Sequence, residues 1–241
     1  MIAVLPMAGR GSRFSGSGYA QPKPLIPIDG TPMFALALGS ISKLDITKLV
    51  VITLREHDID YHASELIKKN SPYPTEIILL NDITEGQLCT VMAAKEHLLS
   101  GEDIIIVSSD TIIISNLHED IKNKRPDCKG LISVANMPGD RWSFAKTDTT
   151  GKVVKVAEKV RISDHASTGL YYFSSGVGFC SQADEILGKK EKTKGEYYVI
   201  PVYQKFIDQG DFVGISIATK MWDLGTPESL QHYLSRPKDQ E

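Results

Sequence analysis

The chain has 241 residues, 41% hydrophobic and 24% charged, with a formal net charge of −3; that is an ordinary globular composition, and it argues against the basic surface of a nucleic-acid binder. Cys89, Cys128 and Cys180 are odd in number and widely spaced, which points away from a disulfide framework or zinc cluster and toward reduced, mostly buried thiols. No apolar run approaches the roughly 20 residues of a membrane span, and the first residues lack a basic region and a cleavage site, so no membrane partner and a cytoplasmic location are expected.

Residues 1–7 form a short apolar run of the kind that a strand buried on both faces shows, and Ala8-Gly9-Arg10-Gly11-Ser12 breaks it abruptly. Glycine leaves backbone N–H groups open to an anion, and Ser12 can begin a helix whose N-terminus attracts negative charge. Arg13 adds a fixed positive fork beside that turn. Ten residues on, Lys23 stands between Pro22 and Pro24, whose rings favour an extended path.

Gly9-Arg10-Gly11-Ser12-Arg13 and Pro22-Lys23-Pro24-Leu25 together resemble the signature of the sugar-1-phosphate nucleotidylyltransferase family. The resemblance implies a nucleotide held by Met7, Ala8, Gly9, Gly11 and Ser12, with Arg13 and Lys23 as catalytic cations. It also implies a nucleoside triphosphate donor, a phosphorylated small-molecule acceptor and Mg²⁺.

Pro32 opens a helical pattern over residues 31–44, residues 48–54 read as a second strand, 57–70 as a helix and 76–80 as a third strand. The alternation predicts an α/β fold, a Rossmann-like doubly wound mixed and mainly parallel sheet with helices on both faces. By resemblance it is of the nucleotide-diphospho-sugar transferase type. The residues 84–91 lead into a helix predicted to run from 91 to 99. There Gly86, Gln87 and Thr90 match the place where the family reads the base, with CTP, UTP or dTTP favoured; a helix cap made by Thr84 and Glu85 is the rival reading.

Residues 103–107 form a fourth strand ending at Ser108-Ser109-Asp110. An aspartate at the carboxyl end of such a strand lies where open α/β sheets bind ligands, and offers the hard oxygen Mg²⁺ prefers. Further strands are expected at 129–134 and in a hairpin around 143–147 and 151–156. Glu158-Lys159 resembles the family's Glu-Lys-Pro, with Val160 in place of proline, and implies contacts to the acceptor. Ser167-Thr168-Gly169-Leu170-Tyr171 resembles a family strand whose glycine admits the acceptor, and a merely structural glycine is its rival.

A helix at 182–188, a solvated charge run at 189–194, a helix ending near Gln209-Gly210 and a strand at 212–218 complete the pattern. Glu196 is at most an acceptor contact. Trp222-Asp223-Leu224-Gly225-Thr226-Pro227-Glu228 resembles the family ending, which makes Asp223 a second metal ligand beside Asp110. One domain over residues 1–236 is expected, with a frayed tail at 237–241.

The activity implied is transfer of a nucleoside monophosphate to a sugar phosphate with release of pyrophosphate, serving surface polysaccharide assembly, and a homo-oligomer is compatible. Two alternatives stay open: a CTP-dependent cytidylyltransferase acting on a non-sugar phospho-metabolite, and a nucleotide-binding regulatory subunit without turnover. A glycosyltransferase would show Asp-x-Asp, and Ser108-Ser109-Asp110 lacks the first aspartate.

Overall fold

The structure is a computed structural model that describes residues 1–236; the tail expected at 237–241 lies outside the described residues. Its strands are β1 (Ile2–Pro6), β2 (Pro27–Ile28), β3 (Thr31–Pro32), β4 (Lys48–Leu54), β5 (Thr75–Leu80), β6 (Ile104–Val107), β7 (Thr111–Ser115), β8 (Cys128–Ala135), β9 (Ser143–Thr147), β10 (Val153–Glu158), β11 (Ala166–Phe173) and β12 (Phe212–Asp223). All except β2 and β3 belong to one sheet, in the order β5-β4-β1-β6-β11-β8-β12-β7, with the β9/β10 pair joined to β11 through β9.

Strands β5, β4, β1 and β6 run parallel, each separated from the next in sequence by helical segments, which is the doubly wound plan. The sheet becomes mixed where β11 enters antiparallel to both β6 and β8. Strand β12 has two partners: its first half, to Ile217, runs parallel to β8, and from Ala218 its second half runs antiparallel to β7, with a bulge between Ala218 and Lys220.

Alternation in β1 shows why these strands are apolar throughout. Ile2 and Val4 join Val50, Ile52 and Ile106 on one face, under Leu88, Val91 and Phe179. Ala3 and Leu5 join Leu49, Val51 and Ile105 on the other, under Phe34, Leu38 and Ile67. A strand covered by helices on both faces has no polar side to show. Full burial of each Leu, Ile or Val contributes about 1.5–3 kcal/mol. A separate cluster of Phe14, Ile26, Ile28, Met33, Leu224, Leu230 and Tyr233 fastens the N-terminal loop to the helix Pro227–Leu234.

Several expected elements differ. The helix predicted over 31–44 begins with the short strand β3, is helical only over Met33–Leu38 and tightens to a 3₁₀ turn at Gly39–Ile41. The helix at 57–70 is two helices, Arg55–Tyr61 and Ala63–Asn70, broken at His62 with φ +53°. The helix expected from 91 starts earlier, at Gln87, ends at Met92, and is followed by a second at Lys95–Leu98. Lys23–Leu25 is a 3₁₀ turn, not an extended segment: only Pro22 holds the extended conformation its ring allows. The helix foreseen at 182–188 is longer, Gly176–Gly188, because Ser175 caps it by accepting from the Gly178 N–H. All three cysteines carry free thiols, Cys128 and Cys180 buried and Cys89 half-buried.

Candidate active site

Strand order reverses at β1: the chain goes from β1 to β4 on one side and later to β6 on the other. Open α/β sheets bind ligands in the crevice at that switch point, beyond the carboxyl ends of the strands. Here a cleft of about 760 Å³ lies there, lined by the loop Met7 to Ser12 that leaves β1 and by Ser108 to Asp110 that leaves β6. Lys23 and the segment from Ile83 to Gln87 line it as well. Gly11 adopts φ +62°, and a Cβ there would stand 2.9 Å from the Lys23 Cβ. The glycine therefore lets the lysine segment close on the loop from behind.

Lys23 Nζ donates to Asp110 Oδ2 at 2.6 Å, and the Ser108 hydroxyl donates to Asp110 Oδ1 at 2.6 Å. Burial pushes the Asp110 carboxyl up, but the Lys23 ammonium and these hydrogen bonds outweigh it and hold the group below its ordinary range. Asp223 pairs with Thr111 at the end of β12, so it is the cross-strand neighbour of the residue after Asp110. The Leu224 N–H donates to the Asp110 carbonyl at 2.7 Å and locks the two strand ends together. Arg141 Nη2 donates to Asp223 Oδ2 at 2.6 Å, and the Gly225 N–H to Asp223 Oδ1 at 3.0 Å.

The acids expected to share a metal thus meet, on the rim that carries the glycine-rich turn. A Cβ placed on Gly225 would stand 2.9 Å from Asp223 Oδ1 and 3.1 Å from Asp110 Oδ2, so the two oxygens flank one small gap that only a glycine leaves clear. Two neighbouring carboxylates are hard-oxygen donors that fit Mg²⁺, which binds through one or two carboxylates plus substrate phosphates. Among the described residues no larger His, Cys, Asp or Glu cluster offers a competing metal centre.

Gly86, Gln87 and Thr90 all line the cleft. Gly86 has φ +139°, and a Cβ there would stand 2.4 Å from the Tyr197 carbonyl oxygen and 2.6 Å from its nitrogen. That approach allows Tyr197 N–H to donate to the Glu85 carbonyl and Leu88 N–H to donate to the Tyr197 carbonyl, both at 3.0 Å. The rival helix cap does not form: the Thr84 hydroxyl donates to the Gly86 carbonyl and meets the Thr90 hydroxyl at 2.7 Å instead of serving helix N–H groups.

Glu158 ends β10 and is buried; burial pushes its carboxyl up, partly offset by the Ser143 hydroxyl that donates to Oε2. Lys159 follows with φ +53°. The left-handed turn ends the strand, so the two side chains need not point to opposite faces of it; neither residue is part of the cleft lining. Lys159 Nζ donates to the Tyr198 hydroxyl at 2.5 Å, which raises the affinity of the ammonium for its proton. Gly169, at φ +87°, faces protein: a Cβ there would stand 2.6 Å from the Ser108 Cβ, beside the hydroxyl that orients Asp110.

Arg13 is exposed and does not line the cleft; its charge adds, after backbone and Thr226 hydrogen bonds, to what holds the Glu228 carboxyl down. Arg10 lines the cleft instead, within 3.1 Å of Asp82 and 3.7 Å of Glu56. Lys192, in the run read as a solvated loop, also lines it and pairs with Glu85 at 2.6 Å. Arg141 escaped the sequence reading altogether, since its partner Asp223 lies 82 positions away.

The family model described as "Nucleotidyl transferase" matches residues 2–238. Among curated relatives, "Bifunctional protein GlmU" of Methanococcus aeolicus is 23% identical over 95% of this chain and 53% of its own length. The chain spans about half the length of the first such relatives it matches, 53% and 43%. A "2-aminoethylphosphonate cytidylyltransferase" of Lancefieldella rimae is 26% identical over 72% of this chain and 67% of its own. Among solved structures, a "nucleoside-diphosphate-sugar pyrophosphorylase" from Vibrio cholerae RC9 superposes with a TM-score of 0.84 and 27% identity, covering 98% of this chain and 100% of that one.

Proposed function

The chain belongs to the nucleotidyl transferase family, and on that premise we propose that it transfers a nucleoside monophosphate from a triphosphate to a sugar phosphate, forming a nucleotide sugar and pyrophosphate. The observation that carries this reading is the convergence of Lys23, Asp110 and Asp223 near Gly225, at the edge of a cleft lined by the glycine-rich loop.

An acceptor phosphate oxygen forms a bond to the α-phosphorus while the bond from that phosphorus to the bridging oxygen breaks, and pyrophosphate departs with the electron pair. A phosphate dianion is already a nucleophile, so positioning and charge neutralisation carry the catalysis. Asp110 and Asp223 would hold Mg²⁺, which when bound neutralises charge on the triphosphate. Lys23 would leave Asp110 for the α-phosphate. The backbone from Met7 to Ser12 would hold the other phosphates, with Arg13 as a peripheral countercharge. Gly86, Gln87 and Thr90 border the base, and a pyrimidine triphosphate is the donor we favour. Glu158 and Lys159 face the acceptor, with Gly169 shaping the same rim through Ser108.

A second reading, in which CTP is the donor and a small phosphonate or phospho-metabolite the acceptor, is favoured by the relative described as acting on 2-aminoethylphosphonate. Pyrophosphate release measured for CTP, UTP, dTTP and ATP against glucose 1-phosphate, 2-aminoethylphosphonate and phosphocholine separates the two. Turnover with glucose 1-phosphate supports the first reading, turnover restricted to the phosphonate or phosphocholine replaces it with the second, and triphosphate binding without any release removes both.

A further inference from the structure

We propose that Arg141 binds the acceptor's phosphate or phosphonate group, and that its ion pair with Asp223 is the resting position it leaves when a metal ion takes that carboxylate. The inference rests on the nucleotidyl-transfer reading above and extends it to a residue to which that reading gives no role.

Three observations meet at this side chain. First, each acid of the candidate metal pair carries one cation: Lys23 on Asp110 and Arg141 on Asp223, both at 2.6 Å. A divalent ion between the carboxylates would neutralise the charge that now holds both cations, leaving them to the incoming phosphates. Lys23 lines the nucleotide cleft, whereas Arg141 and Asp223 lie outside its lining. The two cations therefore serve different phosphates.

Second, Arg141 lies at the mouth of the segment that would hold the acceptor. Two residues on, Ser143 pairs with Glu158 across β9 and β10 and donates to its carboxylate. The Lys159 N–H donates to the Trp142 carbonyl at 2.9 Å. Arg141 thus bridges the metal acid of β12 and the Glu158-Lys159 turn. An acceptor held by Glu158 and Lys159 with its phosphate turned toward Asp110 and Asp223 would lie beside this side chain.

Third, the side chain is about half exposed, and its guanidinium packs over the Trp142 ring at 4.4 Å. The stack holds the plane of the fork without burying it, so its remaining N–H groups are accessible to a ligand. A planar fork matches two oxygens of a phosphate or phosphonate, which a lysine cannot do.

The test uses the full chain as Arg141→Gln and Arg141→Lys. With the best donor and acceptor pair from the pyrophosphate-release screen, Arg141→Gln should raise the acceptor KM about 10- to 100-fold, the loss expected for one charged hydrogen-bonding group on an anion. The triphosphate KM should stay within twofold, and Arg141→Lys should recover part of the loss. A second arm follows Mg²⁺ alone by tryptophan emission, since Arg141 lies on Trp142 and Asp223 adjoins Trp222. In Arg141→Gln the midpoint should fall at least fivefold because Asp223 no longer has a competing cation. An acceptor KM within twofold of wild type, or donor and acceptor KM rising together, overturns the assignment while leaving the nucleotidyl-transfer reading intact. Should no pair turn over, that reading fails and the acceptor role of Arg141 is overturned with it; the Mg²⁺ arm then decides only the resting pair, which an unchanged midpoint removes and a fivefold fall keeps.

Discussion

The ion pair between Lys23 and Asp110 yields the sharpest expectation. Its atoms are 2.6 Å apart, and the two side chains are 24% and 19% exposed. That places it between surface pairs, worth about 0.2–1 kcal/mol, and buried pairs, whose disruption costs about 3–5 kcal/mol. Discounting for solvent, Asp110→Asn or Lys23→Met alone should cost about 2 kcal/mol, because each strands the partner's charge. In a chain of this size that lowers Tm by roughly 4–8 °C. The double variant strands nothing and should lose at least about 1 kcal/mol less than the two single losses together.

Turnover should fall about 10²–10³-fold in either single variant, the usual consequence of removing a charge aimed at the transition state. Differential scanning fluorimetry and pyrophosphate release measure both quantities. The pH dependence has a fixed sign. Because the Asp110 carboxyl is held below its ordinary value, the pair stabilises the fold fully above about pH 4 and loses that contribution as pH falls through the folded-state pKa. Asp110→Asn should show no such loss from this position. Additive Tm changes in the double variant, together with near-normal turnover in the singles, would refute the reasoning.

Gly86→Ala should lose about 2–4 kcal/mol, since its Cβ would meet Tyr197 backbone atoms and its φ of +139° suits glycine alone; raised triphosphate KM with unchanged acceptor KM would locate the damage on the base side. Glu158→Gln should stabilise the fold at pH 7, because burial raises this carboxyl and ionising it above the ordinary carboxylate range costs stability; urea melts at pH 7 and below pH 4 should differ from wild type only at the higher pH. Leu230→Ala, in the cluster with Phe14 and Ile26, should cost about 2–5 kcal/mol and speed amide exchange over residues 11–19; exchange accelerated uniformly through β1 and β4 would show that the helix does not clamp the loop in particular.

The N-terminal half was legible in the sequence because its signals are local. Strands β1 and β6 are unbroken apolar runs and β4 nearly so, and Gly9 to Arg13 and Asp110 follow closely on β1 and β6. What stayed hidden depends on distant partners. Strand β7 and the helix Leu117–Lys122 were not foreseen, and β12 was expected to stop at Ala218 rather than Asp223. The polar Thr219-Lys220 step ends the alternation, yet the strand, handed from β8 to β7 between Ile217 and Ala218, continues past it through a bulge. Likewise Arg141 and Lys192 are ordinary surface cations by pattern, and only the fold brings them to Asp223 and Glu85.

The same seam sets an order of assembly on the ribosome. A nascent chain can finish β1, β4 and β6 while its carboxyl half is still unmade, but it has neither the second acid nor the wall formed by Leu224, Leu230 and Tyr233 under Phe14. Until β12 and the helix behind it emerge, the glycine-rich loop has no lining beneath it, so the candidate site cannot close until some two hundred residues after that loop have been made.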